Sequence, residues 1–332
     1  MHATLCRRYG GIEGLTHETL DAPALRPGTV RLRVEAAGVS FANTVVIAGK
    51  HQNTPALPFV PGTELCGTVT EVDADARGLA VGDRVVASVS SGAFATEVIA
   101  DPYDLYPIPP ELDPFEATAL PTLYGTTLAA LRWRAGLVAG QVLLVHGAAG
   151  GVGLAAVDLG RALGARVIAV AGSEAKLAAC REYGAWEVID HRTEDVRERV
   201  LALTSGRGAD VVFDPVGGEA FDASMRCTAP EGTILVIGFA SGVIPAAPLN
   251  YALVKNLTIS GFYWGFHLGI GRDNGDAKVR AATRELMAEL VRWSVRRRIR
   301  PKVWKVFPHR DVQQALRTVL EREVIGKVAL AM

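Results

Sequence analysis

From Gln141 to Ser260 the chain alternates short apolar runs with segments of helical character, and this alternation restricts it to a parallel sheet with crossover helices. The expected strands are Val142 to His146, Arg166 to Ala171, Glu187 to Asp190, Asp210 to Asp214, Thr233 to Gly238 and Leu257 to Ser260. Helices are expected between them at about 151 to 164, 174 to 183, 194 to 204 and 218 to 227. Six strands joined in this way are what a doubly wound nucleotide-binding fold requires.

The first unit contains "VLLVHGAAGGVGLAA", Val142 to Ala156, an apolar strand that runs through a glycine turn into a helix. In the dinucleotide fingerprint GxGxxG the first glycine permits a tight turn. The second lets the backbone approach a pyrophosphate, and the third lets helix pack on strand. Here the register reads Ala148, Ala149, Gly150, Gly151, Val152, Gly153. Only the first demand is relaxed, and alanine meets it unless that position needs a positive φ. The strand before, the helix after and the place at the head of six units favour nucleotide binding over a plain turn.

The second strand bears on which nucleotide. An NAD enzyme usually ends that strand in a carboxylate for the ribose 2′-hydroxyl, whereas "RVIAVAGSEAK" has Ala171 there. Losing the carboxylate removes repulsion towards a 2′-phosphate, and Ser173 and Lys176 add a hydroxyl and a cation. His191 and Arg192 follow the third strand, near enough in a parallel sheet to share the phosphate. NADPH is the favoured cofactor; on the alternative reading Lys176 and Arg192 are ordinary surface residues.

Up to about residue 120 the sequence is β-like, with apolar runs broken by Gly, Pro and Asp, as in "TVRLRVEAAGVS", "ELCGTVTEV" and "GDRVVASV". After residue 260 come helices at about 279 to 297 and 310 to 322 and a closing strand, "GKVALAM", too little for a third domain. This tail is expected to pack back on the first part. The resulting division is 1–121 with 258–332 as a β-rich domain and 122–257 as the nucleotide domain. Thirty-five basic residues balance 35 acidic ones, which gives no electrostatic reason to seek nucleic acid or anionic lipid. The cluster "RWSVRRRIRPK" reads as a solvated helix end. No run is long and apolar enough for a signal peptide or a membrane span, so a cytoplasmic location is expected. Cys6, Cys66, Cys180 and Cys227 are scattered, as in a protein with idle thiols.

Motifs spread over essentially the whole chain resemble the zinc-free quinone oxidoreductase, or zeta-crystallin-like, branch of the medium-chain dehydrogenase/reductase superfamily. They include "GVSFANTVVIAGKHQ", "LPFVPGTELCGTVTEV", "LPTLYGTTLAAL", "GAAGGVGLAAVDLGRALGARVIAV", "DVVFDPVGG" and "VIGKVAL". The resemblance implies a GroES-like β-rich catalytic domain split around a Rossmann domain. It also implies that Asn43, Thr126, the Gly238 and Phe239 pair and the Phe262, Tyr263 and Trp264 segment lie near the nicotinamide. Where the superfamily's alcohol dehydrogenases hold catalytic zinc with a Cys in "GVC" and a His in "GHE", this chain has Ser40 and Thr63. The spacing of Cys66, Glu64 and His51 matches no zinc set, and a metal-free site is expected.

Without zinc an alkoxide is hard to stabilise, which leaves hydride addition to a quinone or an α,β-unsaturated carbonyl, whose own conjugation spreads the developing charge. That transfer is expected in the cleft between domains. Bacterial quinone reductases often carry two tyrosines in the first loop; the matching frame here has Val45 and His51. His51 is either a donor to a substrate oxygen or a residue of a polar loop, and Tyr124 is either a donor or a core residue. Two alternatives remain: an enoyl-CoA reductase of acrylyl-CoA type, with Arg272, Lys278 and Arg280 as a conceivable basic groove, and an NADPH-binding sensor or structural protein. The family habit of pairing Rossmann domains through the last strand makes a homodimer the expected assembly.

Overall fold

A computed structural model describes residues 1–76, 78–268 and 277–332. The chain divides into two units: Met1–Thr122 with Trp264–Met332, and Leu123–Tyr263. The tail is thus part of the first unit. The boundary after the nucleotide unit lies six residues later than residue 257, because the strand Thr258–Gly261 pairs in that unit's sheet.

The first unit contains a hairpin of β1 (His2–Cys6) and β2 (Leu15–Thr19). Its larger sheet is built from β3 (Val30–Val39), β4 (Glu64–Val72), β5 (Arg84–Ser88), β6 (Glu97–Ala100) and β7 (Leu105–Pro107), to which the tail adds strands at Val303–Pro308 and Lys327–Ala331. Inward positions of these strands, among them Leu32, Leu65, Val85, Leu105 and Leu330, close on Phe94 as one core. The tail strand Lys327–Ala331 pairs antiparallel with β3, Ala329 opposite Gly38, and β4 flanks β3 on its other side with Glu64 opposite Gly38.

This arrangement lets Lys327 reach over β3 to Glu64, and the ammonium touches the carboxylate in a setting where both residues are buried. Only glycine fits beneath the pair: a Cβ at Gly38 would stand 2.5 Å from Glu64 Oε2 and 2.6 Å from Lys327 Cε. Among the described residues the second carboxylate oxygen, Oε1, has no hydrogen-bond partner, so the pair is the main compensation for burying that charge.

In the second unit the strands β8 (Val142–Val145), β9 (Arg166–Ala171), β10 (Glu187–Asp190), β11 (Ala209–Asp214), β12 (Thr228–Val236) and β13 (Thr258–Gly261) are all parallel, in the order β10-β9-β8-β11-β12-β13. That is the doubly wound order, with its direction reversing between β8 and β11. Residues of β8 and β11 are buried without alternation, as helices on both faces demand. The helices Gly151–Ala162, Glu174–Glu182, Val196–Leu203 and Glu219–Cys227 fall where the periodicity places them, within two residues at most ends.

In the tail, Arg297 lies two residues past the helix Ala277–Val295 and takes a left-handed φ of +51°. Arg297 pairs with Glu116 at 2.7 Å, and Arg298 lies over the Trp293 ring at 4.0 Å, so these members of the arginine cluster are engaged locally. Among the described residues no helix is long and apolar enough to cross a membrane.

The Glu64 and Lys327 pair makes a stability prediction. Lys327→Met should cost about 3–5 kcal/mol by leaving a buried carboxylate unpaired. The double variant Lys327→Met, Glu64→Leu should regain most of it. Denaturant unfolding of the parent, of Lys327→Met, of Glu64→Leu and of the double variant tests this, and additive losses would contradict the coupling.

Candidate functional site

The loops after the six strands gather at the carboxyl edge of the parallel sheet, and the turn after β8 is the tightest of them. Gly147 takes the left-handed conformation, φ +56°, which leaves Ala148 on an ordinary backbone with its methyl buried. Alanine thus replaces the first fingerprint glycine at no steric cost, because the residue needing positive φ is one position earlier. Gly147 O accepts from Gly150 N at 3.0 Å, and a Cβ on Gly153 would lie 2.2 Å from the same oxygen. The third glycine is therefore obligatory for the turn.

Gly150, by contrast, has only Gly147 O within 4 Å of its Cβ position, at 3.4 Å, so its open side is free of protein atoms. It is the N-cap of the helix Gly151–Ala162 and supplies no side-chain cap. The amides of Gly151, Val152 and Gly153 belong to the first turn, where helix geometry offers no carbonyl partner, and the helix dipole adds positive potential. With Ala149 before them, they form a cradle suited to an anion such as a diphosphate.

Two residues that the sequence reading did not single out hold this turn. His146 ends the strand segment and is buried; its Nε2 is 2.9 Å from Ser224 Oγ. Ser224 donates its hydroxyl proton to Ala220 O at 2.7 Å, so its oxygen accepts, and the proton of neutral His146 sits on Nε2. Burial pushes this imidazole below its usual value, and the nearby Asp214 charge opposes that. Asp214 ends β11 and accepts from the amides of Val216 and Gly217 at 2.8 and 3.0 Å. The Asp214 turn was readable from its Asp-Pro pair, whereas His146 and Ser224, 78 residues apart, leave no local signal.

Beside the cradle, β9 ends at Ala171, and Ser173 caps the helix Glu174–Glu182 with its side chain uncommitted to the cap. Asp190 registers with Ala171, which brings His191 across from Gly172: a Cβ there would be 2.7 Å from His191 Nε2. Lys176 lies half-buried one turn into the helix. Gly172, Ser173, Lys176 and His191 thus belong to one corner of the sheet edge. Arg192 is turned back onto Asp190, with Nη2 to Oδ2 at 3.0 Å and Nε to Oδ1 at 3.2 Å. The pairing raises the Arg192 guanidinium and lowers the Asp190 carboxyl from their usual values.

Further along the edge, Phe239 is 40% exposed and its ring lies 3.0 Å from the Cβ position of Gly217, with Gly238 beside the 215 carbonyl. Phe262 is buried and Tyr263 is 40% exposed after β13. Trp264 falls in the first unit, where its buried indole donates to Pro121 O at 2.8 Å, so it acts there as a core residue. Tyr124 has its buried hydroxyl donating to Asp158 at 3.0 Å inside the nucleotide unit. Thr126 lies on the helix Gly125–Ala129, flanked by π-helical turns, and its neighbour Thr127 has its hydroxyl 3.4 Å from Val152 O. The Thr126 helix therefore packs against the first turn of the glycine helix.

In the first unit, Asn43 is buried and forms a capping box with Ser40, its Oδ1 accepting from Ser40 N at 2.8 Å and from Ser40 Oγ at 3.1 Å. The cap fixes the carboxamide and leaves its NH2 end as the donor. His51 turns Nδ1 to its own loop, 3.1 Å from both the N and the O of Asn53. Ser40 and Thr63 are hydroxyls where zinc-dependent relatives place thiolate and imidazole. Glu64 is held by Lys327, and burial pushes the Cys66 thiol up to about 12. This donor set does not fit a catalytic zinc, and among the described residues no three His, Cys, Asp or Glu side chains cluster as metal ligands. Of the conceivable basic groove, Arg272 lies outside the described residues, and Arg280 lies over the Tyr103 ring at 4.8 Å.

Comparison with known proteins places these features in a family. The family described as alcohol dehydrogenase GroES-like domain matches residues 26–110, and the one described as zinc-binding dehydrogenase matches residues 151–274. A quinone oxidoreductase-like protein 2 homolog of Nematostella vectensis is 38% identical over 99% of this chain and 88% of its own length. The quinone oxidoreductase-like protein 2 of Bos taurus is 35% identical over 96% and 89%. The solved Escherichia coli quinone oxidoreductase complexed with NADPH superposes with a TM-score of 0.90 at 26% identity, covering all of both chains. The chain belongs to the quinone oxidoreductase family of the medium-chain dehydrogenase/reductase superfamily.

The turn geometry separates two substitutions. Gly153→Ala should lower the melting temperature by several degrees, since a methyl would strike the Gly147 carbonyl, while Gly150→Ala should leave it within about one degree. Thermal unfolding of both variants checks this; equal losses would contradict the described turn.

Proposed function

We propose that this protein is an NADPH-dependent, zinc-independent reductase of quinones or α,β-unsaturated carbonyl compounds. The observation that carries the proposal is the uncapped first turn at residues 151–153 beside a strand end, Ala171, that has no carboxylate. The diphosphate would be held by the amides from Ala149 to Gly153. The ribose 2′-phosphate would be met by Ser173, Lys176 and His191, with Arg192 adding charge from its pair with Asp190. The solved relative complexed with NADPH supports this choice of cofactor.

Bound NADPH supplies the two electrons and a hydrogen nucleus that reduce the substrate; a proton from solvent completes a hydroquinone or saturated carbonyl. The chain's own task is orientation and exclusion of water. Asn43 would offer its NH2 end and Thr126 its hydroxyl near the nicotinamide, with Gly238, Phe239, Phe262 and Tyr263 as neighbours. With Nδ1 accepting from Asn53 N, His51 would carry its proton on Nε2 and could donate it to a substrate oxygen; with Nδ1 donating to Asn53 O it would offer only an acceptor there. The donor set at Ser40 and Thr63 favours a substrate that needs no Lewis acid.

We also propose a homodimer through the β13 edge. That strand ends the sheet, and the nearby exposed apolar residues Ile244, Leu253 and Val254 are 75%, 81% and 78% exposed in the single chain. Sedimentation velocity at micromolar concentration should give a two-chain species; a monomer would refute this edge as a dimer interface.

The enzyme is tested by NADPH consumption with naphthoquinones, enones and enoyl-CoA esters. Turnover with the first two classes is expected, preference for the CoA esters would move the assignment to an enoyl reductase, and tight NADPH binding without any turnover would leave a sensor. Lys176→Ala should weaken NADPH at least tenfold and NADH little. Equal losses would contradict the phosphate corner.

A further inference from the structure

Outside the nucleotide site, the first unit holds a polar cluster whose proton positions can be assigned by elimination. Thr4 on β1 is fully buried, His17 lies on the exposed side of β2, and His309 is buried at the start of the turn before the tail helix Val312–Leu320. His309 Nε2 is 3.0 Å from Phe94 O and 3.1 Å from Thr4 Oγ1. His17 Nε2 is 2.8 Å from Arg310 O, and its Nδ1 is 3.4 Å from Thr4 Oγ1. A carbonyl only accepts, so both Nε2 atoms carry protons. His17 Nδ1 is then a bare acceptor in the neutral ring, and Thr4 gives its hydroxyl proton to it while accepting from His309. The single Nε2 hydrogen of His309 is shared between Phe94 O and Thr4 Oγ1, and from Thr4 the bonds run through His17 to the carbonyl of residue 310.

We propose that this Thr4, His17 and His309 network is an acid-sensitive latch that fastens the N-terminal β1–β2 hairpin to the C-terminal tail. A second proton on the buried His309 ring places a charge inside the network, 5.0 Å from the His17 ring.

The charged surroundings do not offset that charge. His2 on β1 is a further like-charging group, tied to Thr19 Oγ1 at 3.2 Å. Glu18 on β2 is taken by Arg7 at 2.6 Å and by Thr16 at 2.7 Å. Arg310 and Asp311 belong to the turn itself, and Glu13 faces Arg317 of the tail helix at 3.4 Å. Phe94 contributes only its carbonyl. Burial, with the neighbouring His17 and His2 reinforcing it, holds His309 down at about 4. An imidazole released from the latch titrates at its ordinary 6.5, so the open form binds the proton more readily. Latch stability is thus full above about pH 6.5 and is lost as pH falls towards 4.

Hydrogen exchange of the full chain, read by mass spectrometry and corrected for intrinsic rates, tests the latch. Between pH 7.5 and 5, opening of peptides covering residues 1–20 and 309–320 should rise by up to about tenfold per pH unit below 6.5, while the 142–171 segment stays unchanged. His309→Gln keeps a donor and an acceptor at the centre of the network without a titrating proton and should flatten that rise. A flat response in the unaltered protein, or an unchanged slope in His309→Gln, would overturn the proposal.

Discussion

The contact between Gly153 and the carbonyl of Gly147 sets the geometry on which the nucleotide unit depends. A hydrogen at the α-carbon is all that the 2.2 Å approach permits. Because the helix comes this close, its first three amides sit directly beyond the end of β8, at the point where the strand order turns. The same closeness requires a left-handed residue at Gly147, and His146 is pinned to the helix after β11 through Ser224. The cradle is thereby part of the sheet's packing and is preformed, which limits the ordering cost of binding.

The β-rich unit meets a comparable constraint by other means. Gly38 leaves room for Lys327 to cross β3 and neutralise Glu64, so the last strand of the chain is bonded to the middle of the sheet by charge as well as by backbone pairing. Tail and N-terminal hairpin meet again at His309 and Thr4. In both places, groups about 260 to 300 residues apart in sequence satisfy each other's buried polar atoms.

Regular patterns were the legible part of the sequence. Continuous apolar strands at β8 and β11, alternating ones in β3, and helical spacing between them led to the observed sheet, because burial on one or two faces leaves a direct trace in the order of residues. The glycine turn was legible in its demand for close packing, although the left-handed position proved to be Gly147, outside the fingerprint as aligned. Side-chain commitments were not legible. Tyr124 gives its hydroxyl to Asp158, Trp264 its indole to Pro121, and Arg192 its charge to Asp190, bonds that residue order alone does not specify. His146, Ser224 and the Glu64 and Lys327 pair were missed because their partners are distant in sequence. Strand β13 was identified as a strand yet assigned across a boundary, since its pairing with β12 is a long-range fact.

The central claim is that the corner formed by Ser173, Lys176 and His191 holds a 2′-phosphate while the 151–153 amides hold the diphosphate. Phosphorus NMR of NADPH titrated with the protein reads both groups separately. The account predicts that the diphosphate resonances shift on binding and that the 2′-phosphate stays dianionic well below its free titration range, drawn by the cationic corner. A 2′-phosphate that titrates as it does in free NADPH, with the diphosphate bound, would contradict it.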